Sequence, residues 1–144
     1  MAEKLVHHAL QVEKKPLAQL QVDSFGTCAI PNLPASENSV FVMSKVGLDL
    51  KKHRSKSIDQ INPASGLAYF CMTTGHRDQL VNFTTIDPAR VFLLRQWMDN
   101  PIQEIPDPFG MGVESYLHCR DTIVEAIPSL LAFLREFVPN QQKG

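Results

Sequence analysis

The chain has 144 residues and a mass of 16.1 kDa, which corresponds to one domain over residues 1–144, with a core large enough to fold without a metal or a disulfide. Its 14 Lys and Arg side chains nearly balance 15 Asp and Glu side chains, for a formal net charge of -1. This balance excludes the basic excess that a nucleic-acid-binding protein carries. The three cysteines form no C-x2-C pair, as expected in a reducing compartment.

The sequence also predicts where the protein works. No apolar run reaches the ~20 residues that a membrane helix needs, and the first residues lack the charged, apolar and small-residue order of a signal peptide. We therefore expect a soluble, cytoplasmic protein with neither nucleic acid nor a membrane as its partner. The pattern predicts no particular oligomeric state.

The first half of the chain predicts two helices separated by a short strand. Apolar residues at helical spacing indicate an amphipathic helix over residues 2–12. Alternating apolar and polar residues favour a strand at residues 20–22. A second helix is expected over residues 35–46, and Gly47 then supplies the C-terminal residue that tolerates a positive φ.

The second half predicts two more strands and ends in a long helix. A continuous apolar run at residues 67–72 is typical of a strand buried on both faces, and a short helix through Leu80 follows it. A further strand is expected at residues 91–94. The apolar stripe after residue 113 predicts a long helix, which Pro128 kinks or divides into two because it lacks an N–H.

The alternation of strands and helices predicts an α/β fold with a parallel sheet flanked by helices. In such sheets ligands bind outside the carboxyl ends of the strands. The loops after Val22, Met72 and Leu94 are therefore the expected places for functional side chains.

Short motifs in a fixed order identify a family resemblance that covers nearly the whole chain. The motifs are Met1-Ala2-Glu3, Ser24-Phe25-Gly26-Thr27, Pro34-Ala35-Ser36, Gly47-Leu48-Asp49, His53-Arg54-Ser55, Cys71-Met72-Thr73 with His76, Asp107-Pro108-Phe109-Gly110 and Tyr116. In this order the sequence resembles the low-molecular-weight protein tyrosine phosphatase family, whose relatives include arginine-phosphate phosphatases and thioredoxin-coupled arsenate reductases. The resemblance implies a three-layer α/β fold and a cysteine-dependent phosphomonoester hydrolase that needs no metal and no cofactor.

The resemblance also implies a feature that this sequence lacks near its start. In the family, the nucleophilic Cys and an Arg that binds the phosphate lie in a C-x5-R-[ST] loop between the first strand and the first helix, where backbone N–H groups hold the anion. The printed sequence begins at the helix. We therefore expect that the first strand and the phosphate loop are missing from this chain. The alternative function is a non-catalytic remnant or a truncated gene model without phosphatase activity.

The family's general acid is implied at Asp107, in the Asp-Pro motif. It would protonate the tyrosyl oxygen of the leaving group and then accept a proton from the attacking water. Phe109 would line the substrate cleft, and the expected substrate is a phosphorylated protein, above all on tyrosine, or a small aryl phosphate. From the residues alone, Asp107 and its neighbours also have the composition of a simple turn.

A literal C-x5-R occurs inside the chain, from Cys71 to Arg77, between a predicted strand and a predicted helix. Asp78 follows Arg77 where the family has Ser or Thr, and an acidic residue there repels an anion. The competing interpretation is a buried strand cysteine, which is the usual environment of a free Cys. Arsenate reduction is not expected, because Cys71 is the sole cysteine near that strand.

Other polar features have simpler interpretations. The basic segment 51–56 is expected to be a solvated loop within a neutral domain, in which His53, Arg54 and Ser55 make structural hydrogen bonds. His7 and His8 are adjacent, so they point to different sides of a helix and do not share a metal. Cys28 and Cys119 have no partner at a catalytic spacing.

The missing strand has a structural consequence. In the family it lies inside the sheet, and burying a single Val, Leu or Ile side chain contributes ~1.5–3 kcal/mol. We therefore expect a gap between the strand at residues 20–22 and the strand at residues 67–72, with no direct hydrogen bonds between them. Repacking, another chain or nothing would fill this gap.

Overall fold

The computed structural model describes residues 1–141, which form helices and strands in the order α1-α2-β1-α3-β2-α4. The helices are α1 (Ala2–Leu10), α2 (Glu37–Ser44), α3 (Thr74–Phe83) and α4 (Val113–Gln141), and the strands are β1 (Tyr69–Cys71) and β2 (Val91–Leu93). Short 3-10 helices occur at Leu17–Gln19, Ile58–Gln60 and Pro88–Arg90. None of the helices in this part of the chain is long and apolar enough to cross a membrane.

The first two helices follow from local sequence signals. α1 buries Leu5 and Leu10 on its apolar face, and it ends at Leu10 rather than at residue 12. α2 begins after Ser36, whose hydroxyl oxygen accepts a hydrogen bond from the backbone N–H of Ser39 at 3.2 Å. Beyond its C-terminus, Gly47 has the expected positive φ, 76°.

The sheet is parallel, as the alternating pattern predicts. Tyr69 pairs with Val91 and Cys71 pairs with Leu93. The ladder continues one residue further, because the N–H of Leu94 donates to the carbonyl oxygen of Cys71 at 2.9 Å. Both strands lie within the ranges expected from sequence and are shorter than those ranges.

The strand expected at residues 20–22 is wrong. This segment is outside every strand of the described chain, although the backbone of Leu20 is extended, with φ -67° and ψ 135°. An extended segment becomes a strand only when a neighbour supplies hydrogen bonds to its backbone. Between residues 20–22 and β1 there is no backbone hydrogen bond in the described chain.

Helices cover both faces of the sheet and give it three layers. On one face, Tyr69 and Cys71 pack with Leu80 of α3. On the other face, Phe92 contacts Phe133 of α4 with ring centroids 4.9 Å apart. Aromatic pairs of this kind contribute about 0.5–1.5 kcal/mol beyond their buried area. The helical layer on that side contains α1, α2 and α4.

Helix α4 is continuous from Val113 to Gln141, with Pro128 inside it. Of the two outcomes expected at Pro128, a kink or a division into two helices, the division is therefore wrong. A proline removes one hydrogen bond from the helix ladder, but Ala126 before it and Leu130 after it are both fully buried. Packing on both sides of Pro128 holds the two halves of α4 in one helix.

Candidate active site

A backbone hydrogen bond joins the loop after β2 to the carboxyl end of β1. The N–H of Ile105 donates to the carbonyl oxygen of Met72, the first residue after β1, at 2.9 Å, and the Ile105 side chain is buried. Because parallel strands end at the same edge of a sheet, this bond places the next residues at the carboxyl edge, where ligands bind in α/β folds. Asp107 follows Ile105 by two residues.

Asp107 organises an exposed turn. Its Oδ1 accepts a hydrogen bond from the N–H of Phe109 at 3.0 Å, and the N–H of Met111 donates to the carbonyl oxygen of Pro108 at 2.9 Å. Gly110 has a φ of 77°, and the Phe109 side chain is 80% exposed. The turn that the composition suggested is therefore present, and it presents a carboxylate and an aromatic ring side by side.

The charge of Asp107 acts on a thiol in α4. Burial raises the pKa of the Cys119 thiol, the Met1 ammonium group opposes this change, and the Asp107 carboxylate adds to it. Burial also lowers the pKa of the Met1 amino group, and the Glu3 carboxylate opposes that change. Cys119 of α4 is therefore influenced both by the Asp107 turn and by the start of α1.

A polar network connects the first turn of α1 to two loops. The hydroxyl of Ser24 donates to Glu3 Oε2 at 2.5 Å, and His53 Nδ1 lies 3.9 Å from Glu3 Oε1. Ser24 and His53 belong to motifs that carried the family resemblance, but their shared contact with Glu3 was not predicted. Contacts between such distant sequence positions leave no periodic signal in the chain.

The internal C-x5-R segment does not form an open anion site. Cys71 is 4% exposed, and burial raises the pKa of its thiol to about 11, against a smaller lowering by Arg77. Such a thiol is almost entirely protonated at neutral pH, whereas the thiolate is the nucleophile. Arg77 lies 3.6 Å from Asp78, the residue that sequence reasoning placed against an anion.

An internal carboxylate occupies the N-terminus of α3, where this C-x5-R segment would bind its anion. The backbone N–H of Thr74 donates to Glu104 Oε1 at 2.8 Å, and the Thr74 hydroxyl donates to the same oxygen. These bonds hold the pKa of Glu104 below its ordinary value. Glu104 was not predicted from the sequence, because an isolated Glu in a proline-rich loop has no motif around it.

The remaining candidates are spread over the molecule. Cys28 is exposed, whereas Cys119 is buried, and both are free thiols. His7 and His8 are exposed on α1. Among residues 1–141, no group of three or more His, Cys, Asp and Glu side chains is arranged to hold a metal ion.

Comparisons with known proteins agree with the fold. The sequence model of the family described as low molecular weight phosphotyrosine protein phosphatase matches residues 1–140. The chain belongs to this family. A protein-arginine-phosphatase from Geobacillus stearothermophilus is 29% identical over 122 residues, which cover 85% of this chain and 82% of that relative.

Solved structures of similar proteins have the same architecture. A low molecular weight protein tyrosine phosphatase from T. tengcongensis superposes with a TM-score of 0.81 at 23% identity, covering 92% of this chain and 88% of that chain. The YwlE arginine phosphatase from Geobacillus stearothermophilus superposes with a TM-score of 0.78 at 26% identity, covering 94% of this chain and 83% of that chain. These structures have the α/β fold with a parallel sheet that is described above.

Proposed function

We propose that this chain takes part in the hydrolysis of phosphomonoesters on proteins. Phosphotyrosine would be the substrate, and Asp107 would be the general acid. One observation carries the proposal: the N–H of Ile105 donates to the carbonyl oxygen of Met72, which brings Asp107, two residues further on, to the carboxyl edge of the parallel sheet. Ligands bind at this edge in α/β folds.

The chemistry assigned to Asp107 is proton transfer to the leaving group. In the family's chemistry a cysteine thiolate forms a bond to phosphorus while the bond between phosphorus and the tyrosyl oxygen breaks. The electron pair of the broken bond goes to the tyrosyl oxygen, which takes the proton of Asp107. The charges of a bound phosphoryl group favour a protonated carboxyl group beside it. The hydrogen bond from the Phe109 N–H fixes Oδ1, and Oδ2 has no partner within residues 1–141.

Phe109 supports an aromatic substrate. An exposed phenyl ring on the same turn as the acid offers a flat apolar surface against which a tyrosyl ring packs. The similar arginine phosphatase makes phosphoarginine the competing substrate. A binding assay distinguishes the two substrates. It compares the affinity of this chain for a phosphotyrosine peptide and for a phosphoarginine peptide with the same flanking sequence. Phe109→Ala should weaken binding of the phosphotyrosine peptide more than that of the phosphoarginine peptide.

A second candidate function, a chain without phosphatase activity, is favoured by the state of Cys71. Cys71 is the cysteine of the internal C-x5-R segment, but its thiol is buried and has a raised pKa. Glu104 occupies the N-terminus of the helix that follows. We expect the 144-residue chain to hydrolyse p-nitrophenyl phosphate at the background rate. Activity that Cys71→Ser abolishes would instead make the internal segment the nucleophile loop.

The role of Asp107 is tested in a chain that has a nucleophile. The DNA upstream of the Met1 codon is read in frame for a strand-like run followed by C-x5-R-[ST], and the extended chain is assayed. Asp107→Asn should then lower kcat by about 10²–10⁴, whereas Asp99→Asn, an exposed Asp elsewhere, should leave it unchanged. An equal kcat in both variants removes Asp107 from the mechanism.

We also propose that the protein works in the cytoplasm. Cys28, Cys71 and Cys119 are all free thiols, and free thiols persist in a reducing compartment. Fractionation of cells that express the full chain, followed by detection with an antibody, tests the location.

A further inference from the structure

Asp107 belongs to a long loop, and its position depends on how that loop is attached to the rest of the protein. The loop runs from Leu94, after β2, to Gly112, before α4. Arg95 holds the first part of the loop by donating a hydrogen bond to the carbonyl oxygen of Ile102 at 3.1 Å. A loop of this length samples many conformations unless contacts with neighbouring elements fix it. The residues next to Asp107 therefore need contacts of their own.

Two contacts hold the loop immediately before Asp107. One is the backbone bond from the N–H of Ile105 to the carbonyl oxygen of Met72 at 2.9 Å. The other is made by a side chain: Glu104 Oε1 accepts the N–H of Thr74 at 2.8 Å and also accepts the Thr74 hydroxyl. In the described chain, no other side chain within three residues of Asp107 forms a hydrogen bond outside the loop.

Both contacts attach the loop to the same short connection between β1 and α3. Met72 follows β1 directly, and Thr74 is the first residue of α3. This connection is itself well fixed, because Thr73 Oγ1 accepts the N–H of His76 at 3.2 Å and thereby caps α3. The loop before Asp107 is therefore bound to a rigid part of the fold.

The N-terminus of α3 favours a carboxylate over a neutral group. The first N–H groups of a helix have no partner inside the helix, and the helix dipole places partial positive charge there. Hydrogen bonds from the side chain and the backbone of Thr74 hold the pKa of Glu104 below its ordinary value. Glu104 is therefore ionised at neutral pH, and hydrogen bonds to an ionised acceptor are stronger than those between neutral groups.

The loop after Asp107 has a weaker attachment. Asn38 Nδ2 of α2 donates to the carbonyl oxygen of Met111 at 3.4 Å, which is longer than an ordinary hydrogen bond. Inside the turn, the N–H of Phe109 donates to Asp107 Oδ1 at 3.0 Å. This bond orients the carboxylate within the turn but does not fix the turn to the rest of the protein. The contacts before Asp107 are therefore the ones that determine where the turn lies.

We propose that Glu104 is a positioning residue for Asp107: its bonds to Thr74 hold the loop against the start of α3 and keep the Asp107 carboxylate at the carboxyl edge of the sheet. This proposal rests on the proposed function, in which Asp107 donates a proton. A general acid acts only within hydrogen-bond reach of the atom that it protonates. A displacement of about 1 Å can lower a rate about 10²-fold, so a support such as Glu104 affects turnover without touching the substrate.

Hydrogen exchange of single amide groups, measured by NMR on the 144-residue chain, tests the proposal without a need for turnover. The N–H of Ile105 reports on the attachment of the loop, and the N–H of Phe109 reports on the Asp107 carboxylate. The N–H of Leu94 donates to the carbonyl oxygen of Cys71 at 2.9 Å in the β1–β2 ladder. It therefore reports on the stability of the whole fold.

Three variants are compared with the unmodified chain. Glu104→Ala removes the acceptor of both bonds from Thr74, whereas Glu104→Gln keeps an oxygen acceptor and removes the charge. Gln103→Ala is the matched control, because Gln103 is the adjacent residue of the same loop and its side chain forms no hydrogen bond within the described chain.

We expect Glu104→Ala to accelerate exchange at Ile105 and Phe109 about three- to tenfold and to change exchange at Leu94 less than about twofold, because the loop opens locally. Glu104→Gln should recover about half of the lost protection, because a neutral acceptor forms weaker bonds. Gln103→Ala should leave all three amides unchanged. Unchanged exchange at Phe109 in Glu104→Ala, or an equal acceleration at Leu94, would overturn the proposal.

Activity separates this proposal from the proposed function. In an extended chain with a nucleophile, Glu104→Ala should lower kcat about ten- to hundredfold while KM changes less than about threefold. An unchanged kcat in Glu104→Ala, in a chain whose kcat depends on Asp107, would overturn the positioning role. If Glu104→Ala accelerates exchange at Phe109 but Asp107→Asn leaves kcat unchanged, the contact with Thr74 positions the loop and the proposed function fails.

Discussion

Arg95 is the most deeply buried charged side chain of the described chain, with 2% of its surface exposed. It begins the loop after β2 and points into the interface with α4. Its Nε donates to the carbonyl oxygen of Ile102 at 3.1 Å, and one terminal nitrogen donates to the carbonyl oxygen of Thr122 and to Glu125 Oε2, at 2.8 and 3.1 Å. One side chain thus connects the loop before Asp107 to the middle of α4.

We expect Arg95→Ala to lower the free energy of unfolding by roughly 2–4 kcal/mol, because two carbonyl groups lose a donor and the buried Arg95 side chain leaves a cavity. The matched change is Glu125→Gln, at the exposed end of the same ion pair. Its side chain is 64% exposed, so its cost should stay below about 1 kcal/mol. Urea denaturation of both variants measures the two losses in the free energy of unfolding. Equal losses would mean that the carbonyl groups do not depend on Arg95.

The three cysteines should differ strongly in reactivity. Cys28 is exposed, whereas Cys71 is 4% exposed with a thiol pKa of about 11. Iodoacetamide at pH 8 should therefore modify Cys28 at least about tenfold faster than Cys71, because only the thiolate reacts. Peptide mapping by mass spectrometry measures both rates, and unfolding in urea should make them similar. Fast native modification of Cys71 would restore the internal C-x5-R segment as a candidate nucleophile.

At the scale of elements, the sequence predicts what local chemistry determines. The ends of α2 follow from the Ser36 cap and from Gly47, and both buried strands follow from continuous apolar runs. The Asp107 turn and its exposed Phe109 follow from a compact motif. These features need only residues that are close together in the chain.

The features that the sequence did not predict depend on distant partners. Residues 20–22 alternate as a strand does, but a strand needs a neighbour, and none lies beside them in the described chain. Pro128 carries a strong helix-breaking signal, and the packing of α4 overrides it. Glu104 reaches the N-terminus of α3 from 30 residues away. Such pairings appear only once the chain is folded.

The end of α2 gives a prediction at this scale. Gly47 has a φ of 76°, and the N–H of Leu48 donates to the carbonyl oxygen of Met43 at 3.0 Å to close the helix. Gly47→Ala should lower the free energy of unfolding by about 1–2 kcal/mol, because a residue with a Cβ is strained in this backbone conformation. Gly75→Ala is the control inside α3, where an added Cβ meets only Thr73 Oγ1 at 3.7 Å.

Because alanine favours a helix over glycine, Gly75→Ala should stabilise the protein by about 0.5–1 kcal/mol. Thermal and urea unfolding of the two variants show whether the free energy of unfolding falls for Gly47→Ala and rises for Gly75→Ala. A Gly47→Ala variant as stable as the unmodified chain would show that the helix ends in another way.

At the scale of the whole molecule, side-chain bonds connect distant parts of the fold. Arg135 of α4 donates to both carboxylate oxygens of Glu13, at 3.1 and 2.6 Å, across 122 residues of sequence. This contact holds the pKa of Glu13 below its ordinary value of 4.5. Hydrogen bonds from Thr74 do the same for Glu104.

These shifts predict loss of stability in acid. A carboxyl group whose pKa is lower in the folded state stabilises the protein at pH values above its unfolded pKa, and this contribution disappears as the pH falls through the folded pKa. Urea midpoints should therefore decline from about pH 4.5 downwards. Glu13→Gln should make this decline shallower, whereas Glu136→Gln, without a partner among the described residues, should not. Identical pH profiles would exclude the Glu13 contact as a cause.

The contact between α1 and α4 has a consequence for biosynthesis. Leu5 and Leu10 of α1 are buried in a core completed by Leu130, Leu134 and Val138 of α4, so α1 packs against a helix that is synthesised more than about 100 residues after it. At about 5–20 residues per second, translation delays that meeting by on the order of ten seconds. During this interval the apolar face of α1 lacks the cover that α4 provides, and we expect the nascent chain to bind chaperones that recognise exposed apolar segments.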